Sequence, residues 1–118
     1  EREILCDGII VGGEIAFSAF SEKHRIDDEP PYMDRRIATV SDLDDEAMNT
    51  MRDVIGKVLA RLGVRSAVFH AEFALTKSGA ILTDLMTRPG GGFIPEMISA
   101  KHGVDLRAAH VYSAFSME

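Results

Sequence analysis

The sequence holds a single cysteine, no tryptophan and no apolar run near the roughly 20 residues that a membrane-spanning helix needs. Cys6, being alone, excludes an intramolecular disulfide and a multi-cysteine zinc site, so a reducing, cytoplasmic compartment is expected. With no basic neighbour to activate it, the thiol reads as a small core residue. Positive charge is also short: 13 Lys and Arg stand against 19 Asp and Glu, for a net charge of -6. The cations are scattered among acids, which argues against a nucleic-acid partner and suits a metal ion better. Glu1, Glu3 and Asp7 are the wrong charges for the start of a signal peptide. Opening on Glu and entering strand-like sequence at once, the chain is expected to be a piece of a longer protein.

With 46% hydrophobic and 27% charged residues over 118 positions, one small domain spanning residues 1–118 is expected. The first twenty residues read as a hairpin, Ile4 to Val11 and Glu14 to Phe20, turning at Gly12-Gly13. Residues 21–36, "SEKHRIDDEPPYMDRR", are polar, dense in charge and interrupted by Pro30-Pro31, which predicts a long mobile loop of the kind that serves as a lid or binding loop. From Ser41 the apolar residues Ala47, Met48, Met51, Val54, Ile55, Val58, Leu59 and Leu62 step by three and four, as in an amphipathic helix. Ser41 with Asp44 resembles a weak capping box, and Gly63 supplies the stop. Two strands follow, Ala67 to Thr76 and Ala80 to Thr87, then two shorter helices, Phe93 to Lys101 and Asp105 to Phe115. There is no internal repeat.

The turn between the last two strands decides the chemistry. A three-residue Lys77-Ser78-Gly79 loop, with Gly79 left-handed, pairs Thr76 with Ala80. Counting outward sets Leu75 opposite Ile81, Phe73 opposite Thr83 and Ala71 opposite Leu85 on a mainly apolar face. The other face then carries Ala74 with Leu82, Glu72 with Asp84, and His70 with Met86. A two-residue Ser78-Gly79 loop would shift the pairing by one and put the acids on opposite faces. Facing carboxylates repel unless a proton or cation intervenes. A hard divalent ion such as Mg²⁺ answers this with one or two carboxylates plus phosphate and water; without a metal, the pair would raise one another's pKa and could do acid/base work. Arg88 follows Asp84 on the same face if the strand runs that far, and Gly90, Gly91 and Gly92 can bring N–H groups to an anion at a helix start. A flexible connection is the plainer account of the three glycines.

The segments "DGIIVGGEIAFSAFSEKH", "HAEF" and "LTDLMTRPGGGFIP" together resemble the C-terminal part of the ATP-grasp ligases, particularly carboxylate-amine ligases and carbamoyl-phosphate-synthase-like proteins. The resemblance runs from Glu3 to about Ala109. It implies that Glu72 and Asp84 are metal ligands holding Mg²⁺ (or Mn²⁺) against ATP phosphates, and that Arg88 is the catalytic contact to transferred phosphate or substrate oxygens. Gly90, Gly91 and Gly92 are expected to join the nucleotide site, and Lys23 and His24, beside Arg25, would either approach substrate phosphate or carboxylate or form a solvated charge run. Two departures stand out: the second acid is Asp84 where Glu is usual, and Met86 replaces a common Asn and is a poor ligand for a hard ion. The lysines, flap and hinge that complete the nucleotide site in the family have no counterpart here, so the remainder of such a ligase, upstream of Glu1, is the implied partner and this chain alone is expected not to turn over ATP.

The expected fold is α+β: an antiparallel sheet of about four strands with the long helix and the C-terminal helices on one face, as in the C-terminal ATP-grasp subdomain. The expected function is ligation of a small-molecule carboxylate to an amine through an acyl phosphate. A degenerate, non-catalytic interaction or dimerisation domain is the alternative, and a metal-free anion-binding module a third reading. His70 would support the acids or be a satisfied structural histidine; Glu3 and Asp7 would line the acid face or be solvated on an edge strand. His102 and His110 read as surface residues.

Overall fold

The computed structural model describes residues 2–24, 36–40 and 42–116. Its elements run β1 (Arg2–Val11), β2 (Glu14–His24), β3 (Arg36–Thr39), α1 (Asp45–Arg61), β4 (Ala67–Thr76), β5 (Gly79–Met86), α2 (Ile94–His102) and α3 (Leu106–Ser116). The strands form one antiparallel sheet in the order β3-β2-β1-β4-β5. The α+β class is as expected, and the fifth strand is β3. It pairs with Ser21 to His24, which extend β2 into the segment read as loop. Residues 25–35, the rest of that expected loop, lie outside the described residues.

The sequence opens on the middle strand of the sheet. In β1 the consecutive residues Ile4, Leu5 and Cys6 are all fully buried, although alternate side chains point to opposite faces. Both faces must therefore be covered. On one, α1 lays Met51, Ile55 and Leu59 over Ile4, Cys6, Ile10, Phe69, Ala71 and Phe73. On the other, Ile94 and Ile98 of α2 and Leu106 of α3 pack on Leu5, Ala19 and Val68. The expectation that all helices share one face is thus corrected, and the near-continuous apolar run of β1 is the physical reason.

Local chemistry explains the connections. Gly12 and Gly13 have φ of 58° and 86°, the left-handed pair of a two-residue hairpin turn that matches strand twist. Gly8 has no room for a side chain, since a Cβ there would lie 2.2 Å from the Phe17 carbonyl and 2.7 Å from the Phe69 ring. Helix α1 is capped by Asp44 itself, whose Oδ1 accepts from the Ala47 N–H at 2.7 Å. Ser41, its expected capping partner, lies outside the described residues. Gly63, at φ 74°, ends the helix as read.

Candidate functional site

The β4–β5 hairpin turns differently from the expected loop, yet it delivers the expected pair. Thr76 pairs with Gly79, so the turn is Lys77-Ser78, and the neighbouring pairs are Leu75 with Ala80, Ala74 with Ile81 and Phe73 with Leu82. Each of those pairs is one residue from the predicted register. A β-bulge then absorbs Thr83, whose Oγ1 donates to the Glu72 carbonyl at 3.1 Å. Beyond it Glu72 pairs with Asp84, Ala71 with Leu85 and His70 with Met86, as predicted. One extra residue in the strand compensates for one fewer in the turn.

Glu72 and Asp84 therefore share the face that carries α2 and α3. Leu5 and Ser21 continue the same cross-strand row, and Glu3, beside Ala74 and Lys23, lies in the next row of that face. Asp84 is exposed, and its Oδ1 accepts from the Leu85 N–H at 2.9 Å. Glu72 is held by Lys23, whose Nζ lies 2.6 Å from Oε1, with about a quarter of each side chain exposed. To make this contact Lys23 reaches from β2 across β1 to β4.

Next to the acids lies a pair that the sequence reading undervalued. Asp7 and His70 are cross-strand neighbours, 0% and 4% exposed, with Asp7 Oδ1 2.6 Å from His70 Nδ1. Of the two readings of Asp7, solvation on an edge strand is corrected, because β1 is the central strand, and Asp7 instead lines the face of the acids. Burial pushes the Asp7 carboxyl above its ordinary range, and the His70 hydrogen bond opposes this. Oδ2 of Asp7 and Oγ of Ser21 are buried with no hydrogen-bond partner. A signal was present: Asp7 stands between the apolar residues Ile4 to Cys6 and Ile9 to Val11, where a buried acid requires a partner.

Gly90 closes over this pair. It is buried, and a Cβ there would lie 2.7 Å from His70 Nδ1 and 2.9 Å from Asp7 Oδ1. Gly91 and Gly92 are exposed with open space around them, Gly92 at φ 60°. Helix α2 then starts at Phe93 without a side-chain cap, and Pro95 occupies its first turn, where a missing N–H costs no hydrogen bond. The glycine segment thus meets the sheet through Gly90, as backbone packed on the Asp7–His70 pair.

Other predicted site residues are not brought together. Strand β5 ends at Met86, so Arg88 lies past it, exposed, with Nη1 donating to the Pro89 carbonyl at 3.0 Å. Among the described residues it has no carboxylate partner. His24 alternates with Lys23 and takes the other face beside Glu22, its Nε2 3.8 Å from Glu22 Oε2. Cys6 is fully buried, as expected, and burial pushes its thiol up. His102 is exposed, its ring edge-on to Phe17 at 5.5 Å.

No protein-family model matches the sequence, and no curated protein matches it. Solved structures do. An L-amino acid ligase from Bacillus licheniformis superposes with a TM-score of 0.80 over 98% of this chain at 14% identity. The fold is that of part of an ATP-grasp ligase. A phosphoribosylglycinamide synthetase from Anaerococcus prevotii shows the same ATP-grasp fold, with a TM-score of 0.67 over 89% of the chain at 15% identity. The chain spans 29% of the first protein and 26% of the second. Among the described residues no helix is long and apolar enough to cross a membrane.

Proposed function

We propose that this chain is the C-terminal, metal- and phosphate-holding part of a cytoplasmic ATP-dependent carboxylate-amine ligase. The observation that carries this reading is the register placing Glu72 opposite Asp84, on one face with Lys23, within an ATP-grasp fold. Their Cβ atoms are then about 4.5–5.5 Å apart, where two like charges destabilise a strand pair unless a cation offsets them. The donor set fits Mg²⁺, or Mn²⁺ in its place: hard oxygens from two carboxylates, with phosphate and water completing the shell. Among the described residues no group of three or more His, Cys, Asp or Glu is arranged to hold a metal, which suits an ion that takes the rest of its shell from phosphate and water. Met86 contributes nothing to a hard ion.

Bound there, Mg-ATP would supply the γ-phosphoryl group that turns a carboxylate into an acyl phosphate, from which an amine displaces phosphate. Glu72 and Asp84 fix the position of the charge. Lys23 offers an ammonium to phosphate oxygens, and Arg88 and the open backbone of Gly91 and Gly92 face solvent where an anion can approach. Positioning and charge neutralisation account for most of such catalysis. The other lobe of the ligase would complete the nucleotide site, so the chain by itself binds without turnover. Calorimetric titration with Mn²⁺ and ADP tests the reading: binding is expected, with Glu72→Ala and Asp84→Ala each weakening it. Metal affinity unchanged in Glu72→Ala would sink it.

A second reading, a non-catalytic interaction or dimerisation domain, is favoured by exposed apolar residues. Val111, Tyr112 and Phe115 of α3 are 58%, 76% and 82% exposed, and Phe93 is 83% exposed. It predicts association that Tyr112→Glu abolishes in sedimentation experiments, together with no response to metal.

A further inference from the structure

Lys23 and Glu72 belong to strands separated by β1, so the lysine crosses about two strand spacings, roughly 9–10 Å, to reach the carboxylate. A salt bridge this open to solvent adds little to stability and orders a long side chain. Its position matters more than its strength. Oε1 of Glu72 cannot serve an ammonium at 2.6 Å and a divalent ion at full strength together, because the two cations repel. A metal arriving alone on that oxygen must therefore displace Lys23 from Glu72. A metal arriving with a polyphosphate gives Lys23 a new anion to hold.

We propose that Lys23 is a built-in counter-ion that makes divalent-metal binding at Glu72 conditional on a polyphosphate. The proposal rests on the metal-site reading above and adds a coupling to it: the polyanion releases Glu72 by taking Lys23, and by linkage the metal strengthens polyanion binding equally. The sheet register sets this up, since Lys23 pairs with Glu3, diagonal to the row that holds Leu5 and Glu72.

Two single-ligand measurements on the 118-residue chain test it. Mn²⁺ alone should bind Lys23→Gln at least about fivefold tighter than wild type, the low end of ordinary coupling between sites. ADP in metal-free buffer should bind the same variant more weakly. Lys23→Arg, which keeps the charge, should leave both near wild type. A lysine that only ties two strands would change stability and would not move the two affinities in opposite directions. Mn²⁺ affinity within twofold of wild type in Lys23→Gln overturns the coupling, even if Asp84→Asn still weakens the metal. If Asp84→Asn leaves Mn²⁺ affinity unchanged in both backgrounds, the metal site and the coupling fall together.

Discussion

The two faces of the sheet are built from the same five strands and do different work. Under α1 the centre of the face is apolar, filled by Met51, Ile55, Leu59, Phe69 and Phe73, with charge confined to its edge. Under α2 and α3 a smaller apolar cluster shares its face with Asp7, His70, Ser21, Lys23, Glu72 and Asp84. Alternation along a strand makes this possible: Phe73 anchors the core while its neighbour Glu72 faces Lys23 and Asp84 on the other side. Stability concentrated on one side leaves the other free to carry buried polar pairs and facing acids that a core would not tolerate. The difference should appear as substitutions that unfold without touching ligand affinity, and the reverse.

The largest effect should come from the α1 face. Ile55 is fully buried among Ile4, Phe69 and Phe73, and Ile55→Ala removes its packing and leaves a cavity, for a loss of about 2–5 kcal/mol. Urea denaturation reads this directly. For a domain of ordinary stability, about 5–15 kcal/mol, much of the folded population would be at risk at elevated temperature. Protein that remains folded should keep the Mn²⁺ affinity of wild type. A matching loss of affinity would show that the two faces are not separable.

Gly90 tests the boundary between them. Gly90→Ala pushes a methyl group against His70 and Asp7 at under 3 Å, so the segment must move, at about 1–3 kcal/mol of overpacking. Gly91→Ala, one residue on, meets open space and has no left-handed backbone to violate, so it should stay within about 0.5 kcal/mol. Equal costs in the two variants, measured by thermal or urea unfolding, would mean that the Asp7–His70 pair is not what Gly90 packs on.

Much of this was legible in advance because it is local. The spacing of Met51, Ile55 and Leu59 announces α1, and Gly12-Gly13 announces the first hairpin. The Glu72–Asp84 pairing was also read, but through a turn that does not form. The bulge at Thr83 depends on which strand β5 meets, and no periodicity within β5 reveals it. Burial of Asp7 was missed for a related reason: β1 becomes central only after β4, some sixty residues later, pairs with its second edge. The motif "SEKH" singled out Lys23, which lies against Glu72, while strand alternation turned the adjacent His24 to the other face.

A smaller effect follows from charge at the edge of the α1 face. Arg2 holds Glu22 through two hydrogen bonds, at 2.8 and 2.7 Å, and so keeps its carboxyl below the ordinary range. The folded state then binds that proton less readily than the unfolded chain does. The resulting stabilisation, about 0.2–1 kcal/mol after solvent screening, is complete above the unfolded carboxylate range and disappears as pH falls through Glu22's lowered value. Unfolding free energies of wild type and Arg2→Met, compared from pH 7 to pH 3, should converge at the acid end. Parallel curves would mean the pair contributes nothing to folding.

The smallest stability change should accompany a large functional one. Asp84 is exposed and stands opposite Glu72, so Asp84→Asn relieves a cross-strand repulsion while the amide can still accept from the Leu85 N–H. Stability should change by no more than about 0.5 kcal/mol, and upward where Lys23 incompletely neutralises Glu72. Mn²⁺ affinity in the presence of ADP should nevertheless fall on the order of tenfold, because a charged hard ligand has become a neutral one. Facing acids that cost stability persist where something gains from them. A variant that is more stable and still binds metal as tightly would leave the repulsion between Glu72 and Asp84 without a function to offset it.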